Sequence, residues 1–152
     1  MLFITYNLDN DTINEIKKCI KKYKDEDVSK ITHTVKGFQT KNILNYFNRS
    51  LLKKIIPFNK LLKKIFYLHY IKYQKGGYQK EHCHPDDLYS FIVYLNDSDG
   101  FTYFKKPINK KVFPRKGKTL VFDGKIVHYA NKSLNEKQVL VGAIKWGTYG
   151  IS

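Results

Sequence analysis

Tyr67-Leu68-His69-Tyr70-Ile71-Lys72-Tyr73-Gln74-Lys75-Gly76-Gly77-Tyr78-Gln79-Lys80-Glu81-His82-Cys83-His84 is the stretch on which the fold turns. Its first seven residues are aromatic or β-branched at most positions and read as a strand. Gly76-Gly77 punctuates it. It runs into His82-Cys83-His84-Pro85-Asp86, two imidazoles spaced i, i+2 and a carboxylate two residues on. On a strand, i and i+2 share one face, so the two rings can share a metal. Imidazole and carboxylate donors with open positions left over are what a non-haem Fe(II) centre uses. His128 supplies a distant partner. His-x-His alone is a weak signal. Isolated histidines are more often ordinary core or surface residues, and His69 is read that way; His33, in an expected loop or strand, is assigned no role.

Downstream, short strands are expected at Tyr89–Leu95, Phe101–Phe104, Thr119–Phe122, Ile126–Ala130 and Val139–Trp146. Asn96–Gly100, Pro107–Lys111 and Asp123-Gly124 are the turns between them. Closely spaced short strands point to a barrel or sandwich. Upstream, Met1–Tyr6 reads as a strand rather than a signal peptide. Asp11 or Thr12 can cap a helix whose apolar stripe is Ile13, Ile16, Cys19, Ile20 and Tyr23. Its lysines lie mostly off that stripe, as on a solvated face. Thr40 can cap a second helix, with Ile43, Leu44, Phe47, Leu51 and Leu52 buried and Pro57 ending it. The expectation is one domain over 1–152: mainly β with N-terminal helices, helical over about 1–64 and barrel over about 65–152.

The chain has 152 residues, 42% of them hydrophobic, and a net charge of +15, enough for one real core. No apolar run approaches the roughly 20 residues of a membrane helix. Cys19 and Cys83 make no disulfide framework, which fits an intracellular, cytoplasmic setting. The positive charge favours anionic partners. It is nearly all lysine, with only Arg49 and Arg115 to offer guanidinium forks. Lys, Ile, Asn and Tyr rise together, as A/T-rich coding would produce, so nucleic acid is a possible partner but not the favoured one.

Three stretches occur in order: Tyr73-Gln74-Lys75-Gly76 through His82-Cys83-His84; Tyr94-Leu95-Asn96-Asp97 with Gly100-Phe101-Thr102-Tyr103-Phe104; and Pro114-Arg115-Lys116-Gly117-Lys118 through Phe122 to His128, then Lys137 and Trp146. Over residues 65 to 146 this pattern resembles the 2-oxoglutarate- and Fe(II)-dependent oxygenases of the prolyl-hydroxylase type. The resemblance implies a double-stranded β-helix, a jelly-roll or cupin-like barrel buttressed by helices, with iron in its open mouth. Counted without gaps, the family's first histidine falls on His82 and its aspartate on His84; Asp86 comes two positions late. Uncharacterised members with His-x-His-Pro are more similar, and Gly37-Phe38-Gln39-Thr40 looks like an element that precedes the barrel in that subset. Two ligand sets stay open. The count favours His82, His84 and His128. The charge of Fe(II) favours His84, Asp86 and His128.

The same resemblance puts Lys137 and Tyr94 at the distal carboxylate of 2-oxoglutarate, and Tyr73 and Trp146 along the pocket. It implies a hydroxylase consuming O2 and 2-oxoglutarate and releasing succinate and CO2. The substrate class is a protein or peptide side chain such as proline, or a small molecule. Two alternatives are kept: a three-His dioxygenase that ignores 2-oxoglutarate, and a non-catalytic jelly roll that binds metal or nucleic acid.

Overall fold

A computed structural model of the chain describes residues 1–145, so Trp146 lies outside the described residues. In chain order the elements are β1 (Phe3–Asn7), α1 (Asn10–Ile20), β2 (Thr34–Gln39), α2 (Arg49–Ile55), α3 (Asn59–Leu62), β3 (Ile65–His82), β4 (Asp87–Tyr94), β5 (Thr102–Phe104), β6 (Lys110–Val112), β7 (Lys118–Asp123), β8 (His128–Ala130) and β9 (Lys137–Lys145). Short 3-10 turns cover Ser29–Ile31 and Leu44–Tyr46.

Every strand pairing is antiparallel, in the order β1-β7-β4-β9-β3-β8-β5-β6, with β2 laid along β3. The 18-residue β3 joins two faces of the barrel. Its first half pairs with β9, from Ile65↔Ile144 to Tyr73↔Lys137. Its second half pairs with β8, at Gln79↔Ala130 and His82↔His128. Between the two faces lies an inner core of Ile71, Ile92, Phe104, Leu120, Phe122 and Val139. Period-two alternation sends Ile92 and Tyr94 of β4 into this core, and Phe91, Val93 and Leu95 to the other side of the sheet. There the outward residues meet Ile13 and Ile16 of α1 and Leu51 and Ile55 of α2. Each such fully buried side chain contributes about 1.5–3 kcal/mol of transfer free energy. The helices therefore cover one sheet face and leave the barrel mouth free, as expected of a helix-buttressed jelly roll.

Several local expectations are corrected. The cap of α1 is Asp9, whose carboxylate accepts the Thr12 amide at 2.8 Å, not Asp11 or Thr12. No helix starts at Thr40. Its hydroxyl accepts the Tyr70 amide at 2.9 Å, across 30 residues of sequence, and a long-range partner outweighs a local cap. The second helix begins instead at the Asn48 cap, whose side chain accepts the Leu51 amide, and it stops short of Pro57. The N-terminal segment is not purely helical. β1 pairs with β7, as the apolar Met1–Tyr6 run foretold, and β2 pairs with β3. Part of the expected turn Pro107–Lys111 is strand β6. Strand β3 does not end near Tyr73 but continues through Gly76-Gly77. Gly76 turns with φ +80, and a Cβ on Gly77 would lie 2.5 Å from the Lys36 carbonyl oxygen. The two glycines thus let β2 cross tightly without breaking β3.

Candidate metal centre and its pocket

The interior residues of β3 are odd-numbered as far as Gln79, yet His82 is even-numbered and faces inward. The β3–β8 register shifts between Gln79 and His82. One extra residue there reverses the alternation and turns His82 into the barrel. His84 follows two residues later, beyond the strand. It is fastened by its amide to the Gly124 carbonyl at 2.7 Å, while its own carbonyl accepts the Asp87 amide. A Cβ on Gly124 would lie 2.4 Å from the Asp87 oxygen and 2.5 Å from the His84 oxygen, so this close approach needs glycine. The clamp links the β3–β4 turn to the segment that enters β8 at His128.

One ring nitrogen from each of His82, His84 and His128 lies within 4.8 Å of the others. Nδ1 of His82 faces the Lys80 carbonyl at 2.6 Å, and Nδ1 of His128 faces the Ile126 carbonyl at 3.0 Å. A carbonyl only accepts, so in each neutral ring Nδ1 carries the proton and Nε2 keeps its lone pair. Ring-to-carbonyl bonds of this kind orient metal-binding histidines. Burial, reinforced by the neighbouring imidazoles, pushes all three rings down to about 4. They are neutral bases at pH 7, the form a divalent transition metal accepts. The donor set therefore fits a metal ion.

Asp86 sits exposed in the turn after His84 and is not among the three clustered donors. Asp87 is buried and accepts the Tyr67 hydroxyl at 3.2 Å. Cys83 is a free, half-buried thiol.

Deeper in the barrel, Lys137 is 2% exposed. Its ammonium donates to the Gly100 carbonyl at 2.7 Å and lies 5.0 Å from the Tyr73 ring centre and 6.0 Å from that of Tyr94. No carboxylate of the described residues forms an ion pair with it. Burial, weakly opposed by Asp99, drops its amine to about 7. Tyr94 is fully buried, with its hydroxyl 2.7 Å from that of Thr102. Tyr73, Tyr94 and Lys137 line a small space of about 10 Å³. Gln79, Ile92 and Val141 belong both to that lining and to a cavity of about 260 Å³ that holds the three histidines. The two spaces thus lie side by side, with these three residues between or beside them. A cation at one end and three imidazoles at the other suit a short dicarboxylate laid between them.

Sequence reasoning did not foresee the rest of the cavity lining. His33 stacks on His82, with ring centres 4.5 Å apart and planes 12° from parallel. His69 also lines the cavity, as do Gln39, Ser90 and Tyr67. Ile31 stands 86% exposed at the rim. The period-two pattern of Tyr67–Tyr73 places His69 on the face of Ile71 and Tyr73, a signal that the alternation itself carries. Nothing local marks His33, whose stacking partner lies far along the chain on another strand.

No family model matches the sequence, and no curated protein matches it. Solved structures do. A viral collagen prolyl hydroxylase from Paramecium Bursaria Chlorella virus-1, in complex with 2-oxoglutarate, is 18% identical with a TM-score of 0.68 and covers 97% of each chain. HygX from Streptomyces hygroscopicus, with nickel, 2-oxoglutarate and hygromycin B bound, is 11% identical with a TM-score of 0.73, over 97% of this chain and 84% of its own. A Trichoplax adhaerens prolyl hydroxylase, in complex with a hypoxia inducible factor oxygen degradation domain peptide fragment, is 11% identical with a TM-score of 0.65, over 94% of this chain and 83% of its own. The chain has the fold of these oxygenases, a double-stranded β-helix. No helix among the described residues is long and apolar enough to cross a membrane.

Proposed function

We propose that the chain is an Fe(II)- and 2-oxoglutarate-dependent oxygenase that uses O2 to hydroxylate its substrate, releasing succinate and CO2. The observation that carries this reading is the pairing of three neutral imidazoles with a buried Lys137, ion-paired with no carboxylate among the described residues, in two adjoining spaces of one barrel. Bound Fe(II) would supply the redox chemistry that couples O2 to decarboxylation and C–H hydroxylation. The chain's own part is to hold and to exclude. His82, His84 and His128 present lone pairs on fixed rings. Lys137 takes the distal carboxylate of 2-oxoglutarate, with the Tyr94 hydroxyl hydrogen-bonding the same carboxylate and the Tyr73 ring lining the pocket. Trp146 is retained as a pocket residue on the resemblance alone. The whole chain is proposed to act as one domain, supported by β1 completing the sheet beside β7. Among the structural neighbours, one is a collagen prolyl hydroxylase, one holds hygromycin B and one holds a peptide fragment. A protein or peptide side chain is the first substrate class to screen, small molecules the second.

The decisive test is iron analysis with a 2-oxoglutarate titration and anaerobic optical absorption. Succinate should form only with Fe(II) and O2 together, and the anaerobic complex should show a charge-transfer band. The all-imidazole donor set also favours a second reading, a three-His dioxygenase. Iron binding with no response to 2-oxoglutarate would select it.

The ligand set is separable by mutation. His82→Ala should lose iron on the order of 100-fold or more in affinity, since changes one shell further out already cost 10–100-fold. Asp86→Ala should retain it. Metal content after chelation and reloading reads the difference; the reverse result transfers the site to His84, Asp86 and His128.

The buried amine also sets a pH dependence. A carboxylate pairs with the protonated Lys137, and the free protein releases that proton near 7. Below pH 7 the site is ready for an anion. Above it, each pH unit costs binding up to about tenfold until the bound form itself titrates. Calorimetric Kd values for 2-oxoglutarate should therefore rise from about pH 6.5 to about pH 8.5, a window that brackets the free amine. A flat profile would show that Lys137 does not meet the carboxylate.

A further inference from the structure

In the cavity that holds the three histidines, Gln39, His69 and Ser90 carry hydrogen-bonding groups that the cosubstrate reading does not use. Ser90 is 5% exposed, and its hydroxyl has no partner among the described residues. A buried orphan hydroxyl costs about 1–3 kcal/mol and is expected where a ligand supplies the missing bond. Gln39 is 7% exposed. The Thr34 hydroxyl donates to its Oε1 at 2.9 Å, and the Thr32 hydroxyl lies 3.0 Å from the same oxygen. The threonines fix the amide and leave its N–H groups to the cavity. Nδ1 of His69 faces the Thr40 carbonyl at 2.9 Å, so in the neutral ring Nε2 is a bare acceptor. The three residues thus offer donors, an acceptor and an ambivalent hydroxyl.

Among the described residues, no Asp, Glu, Lys or Arg lines this cavity. A carboxylate or phosphate would set lone pairs against His69 Nε2, and an ammonium would set N–H against the Gln39 amide. Both would be desolvated with no Asp, Glu, Lys or Arg side chain in the lining as counter-charge, at high cost. Nor does the dicarboxylate reach these residues while its far end rests on Lys137. Ser90 is four residues along β4 from Tyr94, about 13 Å at strand rise, with Ile92 between them. We propose that Gln39, His69 and Ser90 form a substrate subsite that recognises an uncharged amide, accepting from Gln39 and donating to His69. The assignment of this group to the substrate rests on the oxygenase reading; the recognition chemistry does not.

The test uses ¹⁵N-labelled protein in two arms, loaded with Zn(II) and 2-oxoglutarate, and metal-free. Each is titrated with three small probes, N-methylacetamide, acetate and methylammonium. N-Methylacetamide should shift the Gln39 side-chain NH2 and His69 ring signals, and the two ions should not. Gln39→Leu and Ser90→Ala should each weaken amide binding about two- to tenfold, as one neutral hydrogen bond is worth. Ser90→Ala should leave the Tm unchanged or raise it, because it removes a hydroxyl that no described protein group satisfies. Equal shifts with acetate or methylammonium, or amide shifts confined to residues outside the cavity, would overturn the subsite. Amide binding in the metal-free arm of a protein that takes up neither metal nor 2-oxoglutarate would keep the subsite and sink the oxygenase. Cosubstrate binding without any amide response would do the opposite.

Discussion

His128→Ala is expected to abolish metal-dependent consumption of 2-oxoglutarate, with iron affinity lowered by well over about 100-fold and the barrel still folded. His128 belongs to both competing ligand sets, so its loss does not depend on which is right. Its ring is 3% exposed, packed 5.1 Å from the Phe122 ring centre and 5.6 Å from that of Phe104. Its Nδ1 is held by the Ile126 carbonyl. Alanine leaves a cavity costing about 2–5 kcal/mol by analogy with large-to-small core changes. His128→Gln is the companion variant, since it fills most of the space but lacks the imidazole. Both should read as metal loss by elemental analysis, and only the alanine variant as a large drop in Tm. If His128→Gln kept full iron content and succinate formation, the proposed centre would be wrong.

Lys137→Met should raise the Kd for 2-oxoglutarate by about 100-fold or more, because breaking a buried charge pair costs roughly 3–5 kcal/mol. Lys137→Glu should abolish binding, since it places like charges together. The ligand-free Met variant should be at least as stable as the parent. The native ammonium is buried with the Gly100 carbonyl as its hydrogen-bond acceptor among the described residues, and an apolar chain of similar length removes its desolvation cost. A stability gain beside a loss of cosubstrate is the signature of a residue kept for binding. Unchanged 2-oxoglutarate turnover in Lys137→Glu would refute the role.

The barrel was legible because short strand-like runs follow one another closely between turn residues. The inward or outward aim of their side chains was not: Phe91-Ile92-Val93-Tyr94-Leu95 is an unbroken apolar run, and its division between two cores appears only in the fold. The helix expected at Thr40 failed because capping propensity is local, and the Thr40 hydroxyl is taken by an amide 30 residues away. The histidine cluster was legible as residue types and spacing, but the aim of His82 was not. That aim depends on a register shift between Gln79 and His82 that no composition signals. Lys137 could be placed through its resemblance to a family position. Its burial without an acidic partner became visible only when β9 was set against β3 and the Gly100 loop. His33, just ahead of β2, and Gln39, at its end, were missed as pocket residues because that segment enters the site from far upstream.

Strand β3 carries Tyr73 beside Lys137 at one end and His82 at the other, on a single unbroken backbone. Variation along that span is therefore constrained in length far more than in chemistry. Outward-facing positions such as Gln74 and Lys80 can drift to almost any polar residue. Losing or gaining one residue between Tyr73 and His82 would invert every side chain beyond it, sending the imidazole to solvent and Cys83 inward. A lineage descended from this chain can repaint the outward positions of the strand freely, but can lengthen it only two residues at a time.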